Sequence, residues 1–178
     1  MTRRRNRYAC AAAVRTEGMR GRGAALPVVL LIAAMMLTGS AAWFESSLAA
    51  MRAGINQRDA LQAFHAADSA LSLCERAVIA GAAPVSPPVD IEPGGWKNAG
   101  TFGAGAFTPV AQWPGSIQPP QCLVEAWRLA TRPEVHAYLL TARGFGATQA
   151  SQAWLQLELV VDGANVERHW RRVASQPF

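Results

Sequence analysis

Three histidines (His65, His136 and His169), three cysteines (Cys10, Cys74 and Cys122) and a scatter of carboxylates are the residues of this chain with the means to do chemistry. A zinc site needs histidine or cysteine pairs a few residues apart, so that one turn or helix face offers two ligands. No such pair occurs. Neither a G-x-S-x-G elbow, a phosphate loop nor an H-E-x-x-H helix is present. The glycine-rich stretch from Gly103 to Phe107 lacks the strand and helix that would make it a phosphate cradle. Glu125 and Glu134 could face each other across neighbouring strands as an acid–base pair, yet nothing separates them from ordinary sheet charges. Arg168, Arg171 and Arg172 with Trp170 form a basic, aromatic run of the kind that meets nucleic acid. No wider basic face supports it, so it reads as a solvated strand. The expectation is a protein that is not an enzyme, with no metal, no cofactor and no nucleic-acid partner.

The elements that carry these residues are dominated by one feature. From Ala24 to Phe44 run 21 residues without a charge, roughly 30 Å as a helix and enough to cross the hydrocarbon core of a bilayer. Before it lie seven arginines against one acid, Glu17; beyond it the chain holds 10 basic and 11 acidic residues. The basic excess thus sits at one flank of the apolar run, where it fixes topology: arginine-rich end inside, C-terminal part exported. Cys74 and Cys122 fall on the exported side, where disulfides persist, and form a candidate pair.

The apolar run does not stop at a turn. The stretch "ESSLAAMRAGINQRDALQAFHAADSALSLCERAVIA" contains no proline and many good helix formers. Phe44, Leu48, Met51, Ile55, Leu61, Phe64, Leu71, Cys74 and Val78 recur at steps of three, four or seven, with one step of six, and read as a single apolar stripe. One helix to about residue 80 follows, with Gly39 and Gly54 as points of weakness. Gly81 ends it. Residues 81–120 hold eight of the eleven prolines and seven glycines and read as a loop packed on the head through Trp96, Phe102, Phe107 and Trp113.

From Cys122 alternation takes over. "CLVEAWRL", "VHAYLLTAR" and "QAWLQLELVV" predict strands, with Leu155, Leu157, Leu159 and Val161 inward and Gln156 and Glu158 outward. Gly144 to Gly146 marks a turn, and Asp162-Gly163 a hairpin into "ANVERHWRRV". The predicted architecture is α+β: a long N-terminal helix, transmembrane then amphipathic, packed on a C-terminal antiparallel sheet of about four strands. Its divisions are 1–23 (basic leader), 24–44 (apolar half-helix), 45–80 (amphipathic half), 81–121 (loop) and 122–178 (sheet).

The apolar run has three readings: a secretory signal cut after Ser40-Ala41-Ala42, a simple anchor, or a packing element that is first an anchor. Basic leader, glycine, apolar helix, amphipathic continuation and β-rich head together resemble a type IV prepilin. The stretches "RGAALPVVLLIAAMMLTG", "NQRDALQAFHAADSALSLCE", "QCLVEAW" and "LLTARGFG" are similar to the PilX-type minor pilins of type IV pili. The resemblance covers residues 22–80 and the C-terminal strands in outline, and leaves 81–120 without a counterpart.

It implies a fold, a processing site and partners. Prepilin peptidase would cut between Gly23 and Ala24 and methylate the new amine of Ala24. The subunit would sit in the inner membrane, its C-terminus periplasmic, and then pack among the major pilin and other minor pilins. Membrane lipid and the inner-membrane assembly platform are the remaining partners. Pro27, fourth in the mature chain, is tolerated at a helix start. Met19 offers an alternative start with the short leader "MRGRG". Most pilins carry glutamate at the fifth mature position; here it is Val28. That carboxylate is thought to meet the N-terminal amine of the subunit ahead, so a subunit without it is expected at the tip, where none lies ahead. The resemblance therefore implies a minor pilin that starts pilus assembly, with roles in adhesion or twitching motility. A minor pseudopilin of type II secretion is the rival within the class, and a soluble binding protein cut near Ala42 the rival outside it.

Overall fold

The computed structural model describes residues 25–173 and 175–178. Helix α1 spans Ala25–Ile79, without interruption at Gly39 or Gly54. The chain divides into two units, up to Ala49 and from Ala50 onward. In the first, every large apolar side chain from Leu26 to Phe44 is exposed, and the helix is apolar and long enough to cross a membrane. Gly81, at φ 67°, ends α1: the amide of Gly81 donates to Val78 and that of Ala82 to Ala77, closing the last turn on its own carbonyls.

The second unit is a five-stranded sheet in sequential order. Strands β2 (Gln121–Leu129), β3 (Arg132–Phe145), β4 (Gln152–Asp162) and β5 (Asn165–Arg172) pair antiparallel, as the alternation predicts. The hairpin between β4 and β5 turns at Gly163, which takes φ 57°. The α+β class with its long N-terminal helix therefore holds, with one strand more than expected. The extra strand, β1 (Ser86–Val89), comes from the segment read as loop and pairs parallel with β2. Its Pro87 and Pro88 lack amide donors and so belong at an edge. The same segment forms a 3-10 turn at Gly95–Lys97 and a short helix, α2 (Ala99–Gly105), whose N-terminus is capped by the Asn98 side chain accepting from Thr101.

The sheet is covered on both faces. On one, Ala70, Leu71, Cys74 and Val78 of α1 pack with Cys122, Val124, Leu140, Ala142, Leu157 and Leu159. On the other, Phe102 of α2 is buried on Leu123 and Trp154. Gln156, expected outward, does point away from α1, but it is buried there and donates to Thr141 Oγ1 at 2.9 Å.

Two further expectations are corrected. The apolar positions of α1 are not one stripe: Leu61 and Phe64 stay exposed, while Ala63, Ala66, Ala67 and Ala70 are fully buried. At 100° per residue the six-residue step from Ile55 to Leu61 turns the face by 240°, so the positions before and after it cannot share a side. Small residues fill the buried face because β3 comes close. A β-carbon on Gly144 would overlap the Ala63 carbonyl and the Ala67 amide, and would lie 3.0 Å from the Ala67 Cα. Gly144 is thus a strand residue under the helix, and the turn lies beyond it, where Gly146 donates to Ser151 and Ser151 to Thr148. Asp59 of α1 accepts from the Ala147 amide and ties that turn to the helix.

Candidate functional site

Two features stand out as candidates: the apolar part of α1 and the tie between α1 and the sheet. A helix satisfies its own backbone groups, which is the condition for entering hydrocarbon or a dry protein core. The polar side chains within the run are satisfied locally as well. Thr38 Oγ1 donates to the Met35 carbonyl at 3.0 Å and Ser40 Oγ to Met36 at 2.7 Å. Each large apolar side chain left in water forgoes about 1.5–3 kcal/mol of burial, so the exposure of this segment is costly in water.

Val28 lies in the first described turns of this helix, 53% exposed, and no acidic residue stands in the first turn. The first charged residue of α1 is Glu45. Pro27 lies in the first described turn, where a missing amide does least harm. Gly23 and Ala24, the residues of the expected cleavage and methylation, lie outside the described residues.

Cys74 of α1 and Cys122 of β2 are joined, with Cα atoms 6.4 Å apart. Both are fully buried in the core between helix and sheet. A loop of this length contributes about 4 kcal/mol on the chain-entropy account. The bond ties the element that carries the apolar run covalently to the head.

The other residues that could do chemistry are dispersed. His65, His136 and His169 are exposed on α1, β3 and β5. Among the described residues no group of three or more His, Cys, Asp or Glu is placed to hold a metal. Glu125 stands opposite Leu139, not Glu134. It is buried and accepts from the Gly95 and Trp96 amides. Burial pushes its carboxyl above the usual range, while the two amides pull it down. In the basic run on β5, Arg168 pairs with Glu75 and Arg171 with Glu92, each at 2.5 Å, while the Arg172 side chain lies outside the described residues. Glu167 binds Arg132 through both oxygens, at 2.8 and 2.9 Å, and that hydrogen-bonded guanidinium holds its carboxyl below the usual range.

An aromatic group on the face away from α1 was not anticipated. Phe102, Trp154 and Phe178 meet edge to face or tilted, with centroids 5.0 to 5.9 Å apart. The Arg143 guanidinium lies over Phe145 at 4.5 Å and near Trp154 and Phe178. Burial lowers the pKa of Arg143. The sequence signal for this group was only the spacing of aromatics in the segment before β2.

These features define a class: an α+β head borne on a long helix whose N-terminal part is apolar and exposed. Comparison with protein-family models, with characterised proteins and with solved structures returns no match to this chain.

Proposed function

We infer that the chain is a minor pilin of a type IV pilus that promotes initiation of assembly as a tip-located subunit, with roles in adhesion or twitching motility. The observation that carries this reading is the single helix Ala25–Ile79, apolar and exposed at one end and built into the head's core at the other. A signal cut near Ala42 would leave Phe44, Met51 and Ile55 exposed on a helix with no lipid to meet. An anchor retained through assembly gives those residues a partner first in the inner membrane and then in the filament core.

In this account the partners are the major pilin, other minor pilins, the assembly platform and the prepilin peptidase acting at Gly23 and Ala24. The tip assignment rests on Val28. A carboxylate in a nearly dry core is tolerated only if paired, so valine costs nothing where no subunit lies ahead. Deleting the gene and counting surface pili tests the assembly role, with fewer pili expected and restoration by the wild-type gene. Epitope-labelled protein should decorate pilus ends; labelled protein spaced along the shaft would refute the tip assignment.

A further inference from the structure

Glu125 projects from β2 on the sheet face turned away from α1, beneath the segment that joins β1 to α2. The residue is only 7% exposed. Its Oε1 accepts from the Gly95 amide at 2.9 Å and its Oε2 from the Trp96 amide at 3.2 Å. A β-carbon at Gly95 would fall 2.7 Å from Oε1 and 2.8 Å from the Thr101 methyl, so the absence of a side chain there lets the carboxylate lie directly under the backbone. The two amides use two of the four lone-pair sites of the carboxylate. Among the described residues no cation forms an ion pair with it. Arg171, which reaches the same segment, is taken by Glu92, and the Lys97 ammonium lies over the Trp96 ring.

A buried carboxylate without a countercharge is costly, and this one is not sealed in. It lines a cavity of about 440 Å³ whose other walls include Pro87, Val89, Ile91, Pro93 and Glu92. Apolar walls with a carboxylate at the base suit a cation carried on a methylene chain. Ile91 is 77% exposed at this cavity, apolar surface that such a chain would cover.

We propose that this cavity binds an aliphatic ammonium, its nitrogen on Glu125 and its methylenes against Val89 and Ile91. The ammonium belongs either to a lysine side chain of a partner protein or to a free alkylamine. The test uses the full-length protein in zwitterionic micelles and follows the Gly95 and Trp96 amide resonances while n-butylammonium chloride is added. A saturable shift is expected with a dissociation constant of about 1 mM, the scale for a ligand of this size. 1-Butanol, which matches the chain without the charge, should give no saturable shift.

Glu125→Gln should weaken binding at least about tenfold. Val89→Trp keeps the carboxylate and fills the cavity, so it should abolish binding and decides the matter if the first variant fails to fold. Nα-acetyl-lysine-methylamide binding as tightly as n-butylammonium assigns the site to a protein lysine. Binding of n-butylammonium alone assigns it to a free amine. Absence of saturation with both amines, equal response to 1-butanol, or unchanged binding by Val89→Trp overturns the proposal.

Discussion

Replacing Gly144 by alanine tests how the head is held to its helix. The added β-carbon meets backbone, the Ala63 carbonyl and the Ala67 amide, and not the end of a flexible side chain. No rotamer change relieves it. Ordinary carbon contacts lie near 3.5–4.0 Å, so relief must lift α1 from β3 by about 1 Å, and a gap of that size forfeits up to about half of each contact's attraction. The contacts at stake are those of Ala66, Ala67, Ala70, Leu71 and Cys74, all fully buried. Overpacking a core costs about 1–3 kcal/mol, and the backbone partners place this case at the upper end, about 3 kcal/mol. That corresponds to a fall in melting temperature of about 10 °C for a head of this size. The disulfide remains intact in the variant, so the measured loss reports packing. Gly103→Ala is the control: nothing lies within 4 Å of its β-carbon, and it sits in α2, where alanine favours the helix by up to about 1 kcal/mol. Thermal and urea unfolding of both variants in micelles, followed by near-ultraviolet circular dichroism, gives the comparison. A Gly144→Ala protein within about 0.5 kcal/mol of wild type would refute the close approach of helix and sheet.

Cys74→Ser with Cys122→Ser should lower head stability by about 4 kcal/mol, and intact mass should rise by two hydrogens when the wild type is unfolded and reduced. Glu125→Gln should cost about 1–3 kcal/mol, because one amide oxygen accepts from one backbone N–H while the new NH₂ faces the other; urea midpoints measure it. Glu125 has its folded pKa raised by burial, so its contribution to stability is full below the unfolded carboxylate pKa and is lost as pH rises through the folded value. Glu167 has its folded pKa lowered by Arg132, so its contribution is present above the unfolded pKa and lost as pH falls through the folded one. Arg132→Ala should therefore flatten the acid limb of the stability–pH curve, and Glu125→Gln should remove a decline on its neutral side.

The four antiparallel strands were legible because a period of 2 repeats along them, and the helix because a long run of good helix formers holds no proline between Pro27 and Pro84. What escaped were features set by contacts between distant residues. The alanines at 63, 66, 67 and 70 carry little hydropathy signal, and only Gly144 on another strand explains why that face is the buried one. The six-residue step from Ile55 to Leu61 was visible, and counted as an angle it separates two faces of the helix. Pro87 and Pro88 argued against a strand, yet an edge strand tolerates them. The aromatics of the segment around α2 marked it as packed on the head, and Phe102 does seat on Leu123 and Trp154, but no local pattern announced the short helix and edge strand it forms. In the sequence Glu125 reads only as an ordinary sheet charge, and nothing local shows that a proline-rich segment folds over it and donates two amides. Cys74 and Cys122 were readable as a candidate pair by compartment and parity, and the structure joins them.

The most direct test of the account is the N-terminus of the mature protein, isolated from membranes and from sheared pili and sequenced by mass spectrometry. Processing as a pilin predicts Ala24 as the first residue, bearing an N-methyl group, with the apolar helix retained. A mature chain beginning at Trp43 would contradict it, since the apolar run would then be a discarded signal and no part of α1 before that residue would reach a filament.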